Sequence, residues 1–152
     1  MLENDALLAE EEVKLRDEVK EFVATVDPEL LRKMDRNEVD YPYEFVRSAA
    51  QRGLLGLRFP PKYGGRGLSW TAEGAAVEEV GVLDYGLGYA YSMVSIVGEA
   101  IYRFGKEWQK EKFLRSIIRG EKIAAEGSLS RGAVATSSAR RREPRRGATL
   151  GS

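Results

Sequence analysis

The sequence predicts an all-α protein of about six helices arranged as an up-and-down bundle. Apolar residues recur at helical intervals along most of the chain, and no stretch shows the sustained two-residue alternation typical of strands. Gly, Pro and capping residues separate the helical segments. With 152 residues, 43% of them hydrophobic, the chain can bury a core. We expect one helical domain over residues 1–126 and a C-terminal tail over 127–152 that lacks this pattern and is disordered.

The first three helices are predicted from apolar stripes and helix-end residues. Leu, Val and Phe at spacings of three, four and seven predict an amphipathic helix over residues 5–26. Asp27 followed by Pro28 fits the N-cap and first residue of a short second helix. The segment YPYEFVRSAAQRG predicts a third helix, with Pro42 near its start and Gly53 as its stop.

The middle of the chain combines a helix-free segment with two long helices. LLGLRFPPKYGGRGLSW holds two Pro and four Gly, so no helix is expected there. Ser69 is a suitable N-cap for the helix WTAEGAAVEEVGVLD. YGLGYAYSMVSIVGEAIYRFG is apolar on most sides, so it is expected to be the most buried helix, ending at Gly105.

KEWQKEKFLRSIIRG predicts the last helix, which Gly120 closes. Its charged residues are expected to form a solvated face. Its inward residues are expected to be Phe113, Leu114, Ile117 and Ile118.

Composition excludes several classes of site. The chain has no Cys and no His, which removes thiolate and imidazole catalysis, and no metal site is expected. Lys plus Arg and Asp plus Glu both number 24, so no overall basic field favours nucleic acid. The acidic N-terminus lacks the basic start of a signal peptide, and no apolar run is long enough to span a bilayer. We expect a cytoplasmic protein without a membrane partner.

Individual residues predict no catalytic site. Glu78 and Glu79 fit either acid–base chemistry or, more commonly, one solvated and one ion-paired helical carboxylate. Gly86 and Gly88 suggest a dinucleotide turn only superficially, because no strand precedes them. Three tyrosines line a cavity or, by default, belong to the core: Tyr85, Tyr89 and Tyr91.

Three segments, in order, resemble the N-terminal part of the acyl-CoA dehydrogenases. RGLLGLRFPPKYGGRGLS is similar to the family's Gly-Leu-Leu-Gly…Pro-x-x-Tyr-Gly-Gly-x-Gly loop. EEVG is similar to its Glu-Glu-Leu-Gly helix, and GKEWQKEKFLRSIIRGEKIAAEG to its Gly-x-x-x-Gln-Lys-x-x-x-Leu…Gly-Glu helix. The resemblance covers roughly residues 7–127. The loop residues expected to be structural are Pro60, Tyr63, Gly64, Gly65 and Gly67.

The resemblance implies a family activity and its cofactor. Members use FAD to remove two hydrogens from the α and β carbons of an acyl-CoA thioester. The flavin sits mainly between a middle β domain and a C-terminal helical domain, and the catalytic Glu lies in the latter, so no catalytic residue is assigned to this chain. Members are usually tetramers or dimers, so a homo-oligomer is expected. Electron-transfer flavoprotein is a partner to test for full-length relatives.

The resemblance also implies a role for two segments. In the family the helix after the Glu-Glu pair lines the acyl pocket, and the corresponding stretch here is 87–94. A Tyr there shortens the pocket and favours short or branched, non-aromatic acyl groups; the alternative is that Tyr89 is ordinary core. In the loop, Gly64 or Gly65 is expected at positive φ after an extended entry at Pro60 and Pro61. The expected wall residues are Gly88, Tyr89, Ser92 and Met93.

The sequence departs from the family after the Gly-Glu segment. Where the family has Thr-Glu-Pro-x-x-Gly-Ser-Asp, this chain reads GSLSRGAVATSS. With GC-rich codons, reading one base earlier yields Gly-Leu-Thr-Glu-Pro-Arg-Gly-Gly-Ser-Asp from Gly127 onward. We therefore interpret 127–152 as out-of-frame translation. The alternative is a tail that binds nucleic acid, since residues 131–152 hold six Arg and one Glu.

On this interpretation the chain is a truncated N-terminal domain. It lacks the middle domain and the catalytic Glu, so it is expected to be inactive alone and to bind no FAD. The competing interpretation is a helical oligomerisation or binding module without catalysis.

Overall fold

The computed structural model describes residues 9–127, and this part of the chain is all-α, with six helices and no strand, as predicted. The tail over 128–152 lies outside the described residues. The last helix, α6, runs over residues 107–118 and contains a central π-helical segment. The bounds are α1 Glu10–Ala24, α2 Pro28–Asp35, α3 Tyr43–Gln51, α4 Trp70–Leu83, α5 Tyr85–Phe104, and α6 as Glu107–Gln109, Lys110–Leu114 and Arg115–Ile118.

Helix ends follow the local signals in the sequence. The Asp27 carboxylate accepts a hydrogen bond of 2.8 Å from the Glu29 N–H, and Pro28 begins α2 as predicted. Ser69 Oγ accepts one of 3.0 Å from the backbone N–H three residues later and caps α4. Gly53 follows α3 in the left-handed conformation, with φ of +65°. These predictions are confirmed.

One correction concerns the segment between α3 and α4. Pro61–Tyr63 forms a 3₁₀ turn, although no helix was expected there. Pro at the first position already has the required φ, and a single turn needs only the hydrogen bond from Gly64 N–H to the Pro61 carbonyl, at 2.9 Å. The prolines therefore allow one turn while preventing a longer helix.

The core lies where α4 packs between α1 and α5, with the α3–α4 segment closing one side. At the α1–α4 contact, Arg16 donates a hydrogen bond of 2.5 Å to the Glu79 carboxylate. The Glu78 carboxylate lies 3.6 Å from the same guanidinium and is exposed to solvent. This arrangement agrees with the ion-paired interpretation of the two glutamates. Fully buried side chains include Val19, Phe22, Leu54, Leu55, Leu57, Phe59, Tyr63, Val80, Leu87 and Leu114.

The π-helical segment changes the inward face of α6. Leu114, Ile117 and Ile118 are buried as predicted, whereas Phe113 is only half-buried and its ring lies 6.0 Å from that of Trp108. A π turn adds a residue to the helical turn, and the inward face rotates with it. A regular 3.6-residue period therefore predicts more burial for Phe113 than the structure shows.

Candidate functional site

The segment of residues 53–68, here called the glycine loop, is tied to α6. Tyr63 is fully buried, and its hydroxyl donates to the Glu107 carboxylate at 2.9 Å. Arg115 donates to the Lys62 carbonyl at 2.6 Å. Because these contacts join residues more than forty positions apart, the loop acts as a brace between α6 and the α3–α4 connection.

The adjacent glycines of the loop have different roles. Gly64 has φ of +101°, which confirms positive φ at one of the two predicted positions. Gly65 is required for space instead, because a Cβ there would lie 2.1 Å from the Phe59 carbonyl oxygen and 2.6 Å from that of Gly56. The loop folds back so closely that its own backbone leaves no room for a side chain.

A buried ionic cluster holds the loop to α4 and α5. Arg58, with a side chain 7% exposed, donates to Glu73 at 2.7 Å, to Glu99 and to the Ser95 carbonyl at 3.0 Å. The Ser95 hydroxyl donates to Glu73. The guanidinium also lies 3.6 Å from the ring centre of Trp70. Sequence reasoning missed this cluster, since its members lie 15 to 41 positions apart.

Three contacts position α5. Asp84 accepts a hydrogen bond of 3.0 Å from the Leu87 N–H and caps the helix. A Cβ on Gly88 would lie 3.1 Å from the Gly81 Cα, so α4 and α5 approach closely there. The Tyr91 hydroxyl donates to the Leu54 carbonyl at 2.5 Å, and burial raises the pKa of Tyr91. One side of α5 is therefore firmly packed.

The opposite side of α5 is exposed and mostly apolar. Tyr85 is 84% exposed, Tyr89 50% and Ile96 47%, and the Tyr85 and Tyr89 rings stack at 6.4 Å. Ser92 follows Tyr89 on the same side of the helix and precedes Ile96, so the four residues are spaced by four, three and four positions. Its hydroxyl donates to the Tyr89 carbonyl within the helix at 3.0 Å. We call Tyr85, Tyr89, Ser92 and Ile96 the outer face of α5.

The structure separates the four predicted wall residues. Tyr89 and Ser92 lie on the outer face, whereas Gly88 and Met93 are buried, Met93 with only 4% exposed. Tyr89, Ser92 and Met93 therefore do not share one exposed face. Ile96 was missed, although it follows Ser92 by four residues and continues the same stripe.

The default assignment of the tyrosines to the core is wrong for two of them. Tyr91 is buried, but Tyr85 and Tyr89 face solvent. The expectation that α5 is the most buried helix is confirmed, since it holds eight buried residues and no other described helix holds more than five. Its apolar residues nevertheless cover both a packed side and the outer face. Composition alone cannot separate the two sides, since both are apolar.

The outer face fits an apolar group better than a whole flavin nucleotide. Between Tyr85 and Ile96 it carries no charged side chain, and the hydroxyl of Ser92 is already bonded within the helix. The diphosphate of FAD needs several donors or positive charges. The outer face therefore offers surface for an apolar group, and the phosphates of a flavin would need donors from elsewhere.

Within residues 9–127, no three metal-ligating side chains cluster closely enough to hold an ion. None of the helices over the same residues has the length and apolar character needed to cross a membrane.

Sequence comparison decides the family. Residues 9–121 match the model of the acyl-CoA dehydrogenase N-terminal domain. The chain belongs to the acyl-CoA dehydrogenase family. It is 33% identical to the mitochondrial isovaleryl-CoA dehydrogenase of Pongo abelii, over 78% of this chain and 28% of that protein.

Solved structures agree with this membership. A glutaryl-CoA dehydrogenase from Mycobacterium smegmatis, in complex with FADH2, matches 80% of this chain with a TM-score of 0.72 and 27% identity. A chain in the electron transferring flavoprotein structure of Acidaminococcus fermentans matches 76% with a TM-score of 0.69 and 29% identity. The chain spans only 31% and 30% of these two chains.

Proposed function

We propose that residues 9–127 are the N-terminal helical domain of a FAD-dependent acyl-CoA dehydrogenase, and that the outer face of α5 forms one wall of its acyl site. The observation that carries this proposal is the exposed apolar stripe on α5 in a chain of this family. Such surface is costly to leave in water and is commonly covered in a complete protein.

The wall is defined by the side chains on the outer face. Tyr89 and Ile96 supply apolar surface, and Ser92 supplies a small gap between them. Gly88 contributes by allowing the close approach of α4, while Met93 supports the helix from inside. When bound, FAD accepts the two hydrogens removed from the acyl group. On this proposal, the N-terminal domain holds the acyl chain and excludes water from it.

Tyr89 sets the length of the acyl group on this proposal. Its ring is large and lies at the middle of the stripe, so it favours short or branched, non-aromatic acyl groups over long chains. In an in-frame, full-length version, Tyr89→Ala should raise kcat/KM for long acyl-CoAs relative to short ones about tenfold, the scale expected when a pocket gains room for extra methylenes.

The matched control is Tyr43→Ala, which removes the same ring from a similarly exposed position on α3 rather than α5. It should leave the preference for acyl length unchanged. An unchanged preference in Tyr89→Ala would remove Tyr89 from the acyl site.

We further propose that the 152-residue chain is inactive alone, binds no FAD and ends in out-of-frame residues from about Gly127. The departure of GSLSRGAVATSS from the family motif at that point supports this. Sequencing the gene downstream of the Gly127 codon tests it. Restoring one base should extend the protein through a β domain and a second helical domain and make it yellow. An early stop in the restored frame, or an extended protein without FAD, would contradict the proposal.

A second candidate function is assembly without catalysis. The outer face of α5 is apolar enough to pack against a second copy or a full-length relative. A colourless oligomer that Tyr89→Lys converts to monomers in sedimentation would favour this candidate, whereas a yellow protein would favour catalysis.

The remaining parts of the proposal concern location and partners. We place the protein in the cytoplasm as a homo-oligomer in its full-length form, without a nucleic-acid or membrane partner. Electron-transfer flavoprotein is the proposed electron acceptor. Reduction of that protein by the restored enzyme with an acyl-CoA substrate is the direct assay.

A further inference from the structure

A cleft of about 480 Å³ opens between the C-terminal end of α1, helix α2 and helix α3. None of its lining residues belongs to α4, α5 or α6, so it is separate from the outer face of α5. Its volume falls within the range of small-molecule sites. The cleft is therefore a second place on this domain where a ligand has room.

Four aromatic rings line this cleft. Phe22 and Phe45 are buried, with ring centres 5.4 Å apart. Tyr41 and Tyr43 meet edge to face at 5.0 Å. Burial raises the pKa of Tyr41 further above physiological pH, so its hydroxyl stays neutral as for an ordinary tyrosine. Such a lining favours a ligand with an apolar body, and ring faces attract cations.

The ionised side chains that line the cleft are negative on balance. Its lining residues include three carboxylates and one ammonium group: Asp27, Glu29, Glu44 and Lys33. Asp27 caps α2, and Glu29 binds Arg32 and Arg36. Within residues 9–127, Glu44 makes no ion pair. Its carboxylate is thus available to a ligand.

We propose that this cleft binds a small organic cation with an aromatic or branched aliphatic body. The rings receive the apolar body, and the carboxylate of Glu44 supplies the counter-charge. Lys33 opposes the ligand's charge and limits its affinity.

Calorimetric titration of the 152-residue chain with three probes of matched size tests the proposal: phenethylammonium, 2-phenylethanol and 3-phenylpropionate. The ammonium should bind about tenfold more tightly than the alcohol, and the carboxylate should bind most weakly. Amide chemical-shift changes should cluster in α1, α2 and α3. Equal affinities for the three probes, no saturable binding of the ammonium, or shifts confined to other helices would overturn the proposal.

Three charge-neutralising variants sharpen the test. Glu44→Gln should weaken binding of phenethylammonium about fivefold, and Lys33→Gln should strengthen it severalfold. Glu21→Gln removes an exposed carboxylate of α1 outside the cleft and should leave affinity unchanged. Each variant alters an exposed side chain, and circular dichroism checks the fold. Equal effects of Glu44→Gln and Glu21→Gln would show general surface charge and overturn the proposal.

Discussion

The glycine loop and the outer face of α5 carry opposite kinds of constraint. In the loop, Tyr63 is buried, Gly65 has no room for a side chain, and Arg58 is enclosed by two carboxylates. On the outer face, the Tyr85 and Tyr89 rings stack on each other and are at least half-exposed. The loop carries the sequence motif by which the family is recognised, yet its contacts are all structural.

The difference shows that the motif by which a family is recognised and the surface that binds a ligand can be separate parts of a domain. A motif that is dense in Gly and Pro reports backbone geometry, which the domain satisfies by itself. A wall for a ligand is recognised by surface that the domain leaves uncovered. Substitutions in the loop should therefore change stability strongly, and those on the outer face should change it little.

The largest effect is expected at Gly65. Gly65→Val places side-chain atoms against the carbonyl oxygens of Phe59 and Gly56, so we expect a loss of about 4–5 kcal/mol in the free energy of unfolding, or no folding. Urea unfolding followed by circular dichroism measures it. Gly74→Ala is the control, because a Cβ at that position of α4 meets nothing within 4 Å. It should stabilise by up to about 1 kcal/mol through helix propensity. Similar stabilities for the two variants would contradict the role given to the loop.

Removing Arg58 should have the next largest effect. Arg58→Met leaves the buried carboxylate of Glu73 without its cationic partner, and we expect a loss of about 3 kcal/mol in the free energy of unfolding. Adding Glu73→Gln should recover part of this loss, because the uncompensated charge is then gone. Strictly additive effects of the two substitutions in urea unfolding would show that the pair is not coupled.

The ionic cluster around Arg58 also predicts that the stability of the domain depends on pH. Burial opposes ionisation of Glu99, but hydrogen bonds from Arg58 and Arg103 outweigh it and lower the pKa of Glu99 below its ordinary value of 4.5. A lowered pKa adds stability above the ordinary value and loses it as the pH falls through the folded value. Unfolding free energy should therefore fall more steeply below about pH 4.5 in the parent than in Glu99→Gln. Parallel pH profiles would contradict this account.

The outer face and the tail should give the smallest effects on stability. Tyr89→Ala trims a half-exposed ring and should change the free energy of unfolding by less than about 0.5 kcal/mol, as is usual for surface substitutions. Cutting the chain after Glu126 should leave the melting temperature nearly unchanged, because Ala124 is the last core residue along the described part. A large drop in melting temperature in either variant would show that the domain depends on contacts we assign to the surface or the tail.

The sequence predicted most of the helices because their ends depend on neighbours in the chain. The caps at Asp27 and Ser69 and the stop at Gly53 use bonds or conformations within three residues. The π segment of α6 was not predictable in this way. Its wider turn breaks the regular period, and the position of Phe113 changed with it.

By itself, the sequence determined the all-α class, the family and the stretch of chain that holds the candidate wall, because local periodicity and motif spacing encode these. Only the tertiary structure decided which residues of that stretch face outward. Tyr89 and Met93 are both apolar and one helical turn apart, yet one is half-exposed and the other buried. Likewise, the sequence gives no sign that Arg58 is buried, because its partners Glu73 and Glu99 lie far along the chain and only the fold brings them to it. Burial depends on which distant segments pack together, and a pattern along one helix does not contain that information.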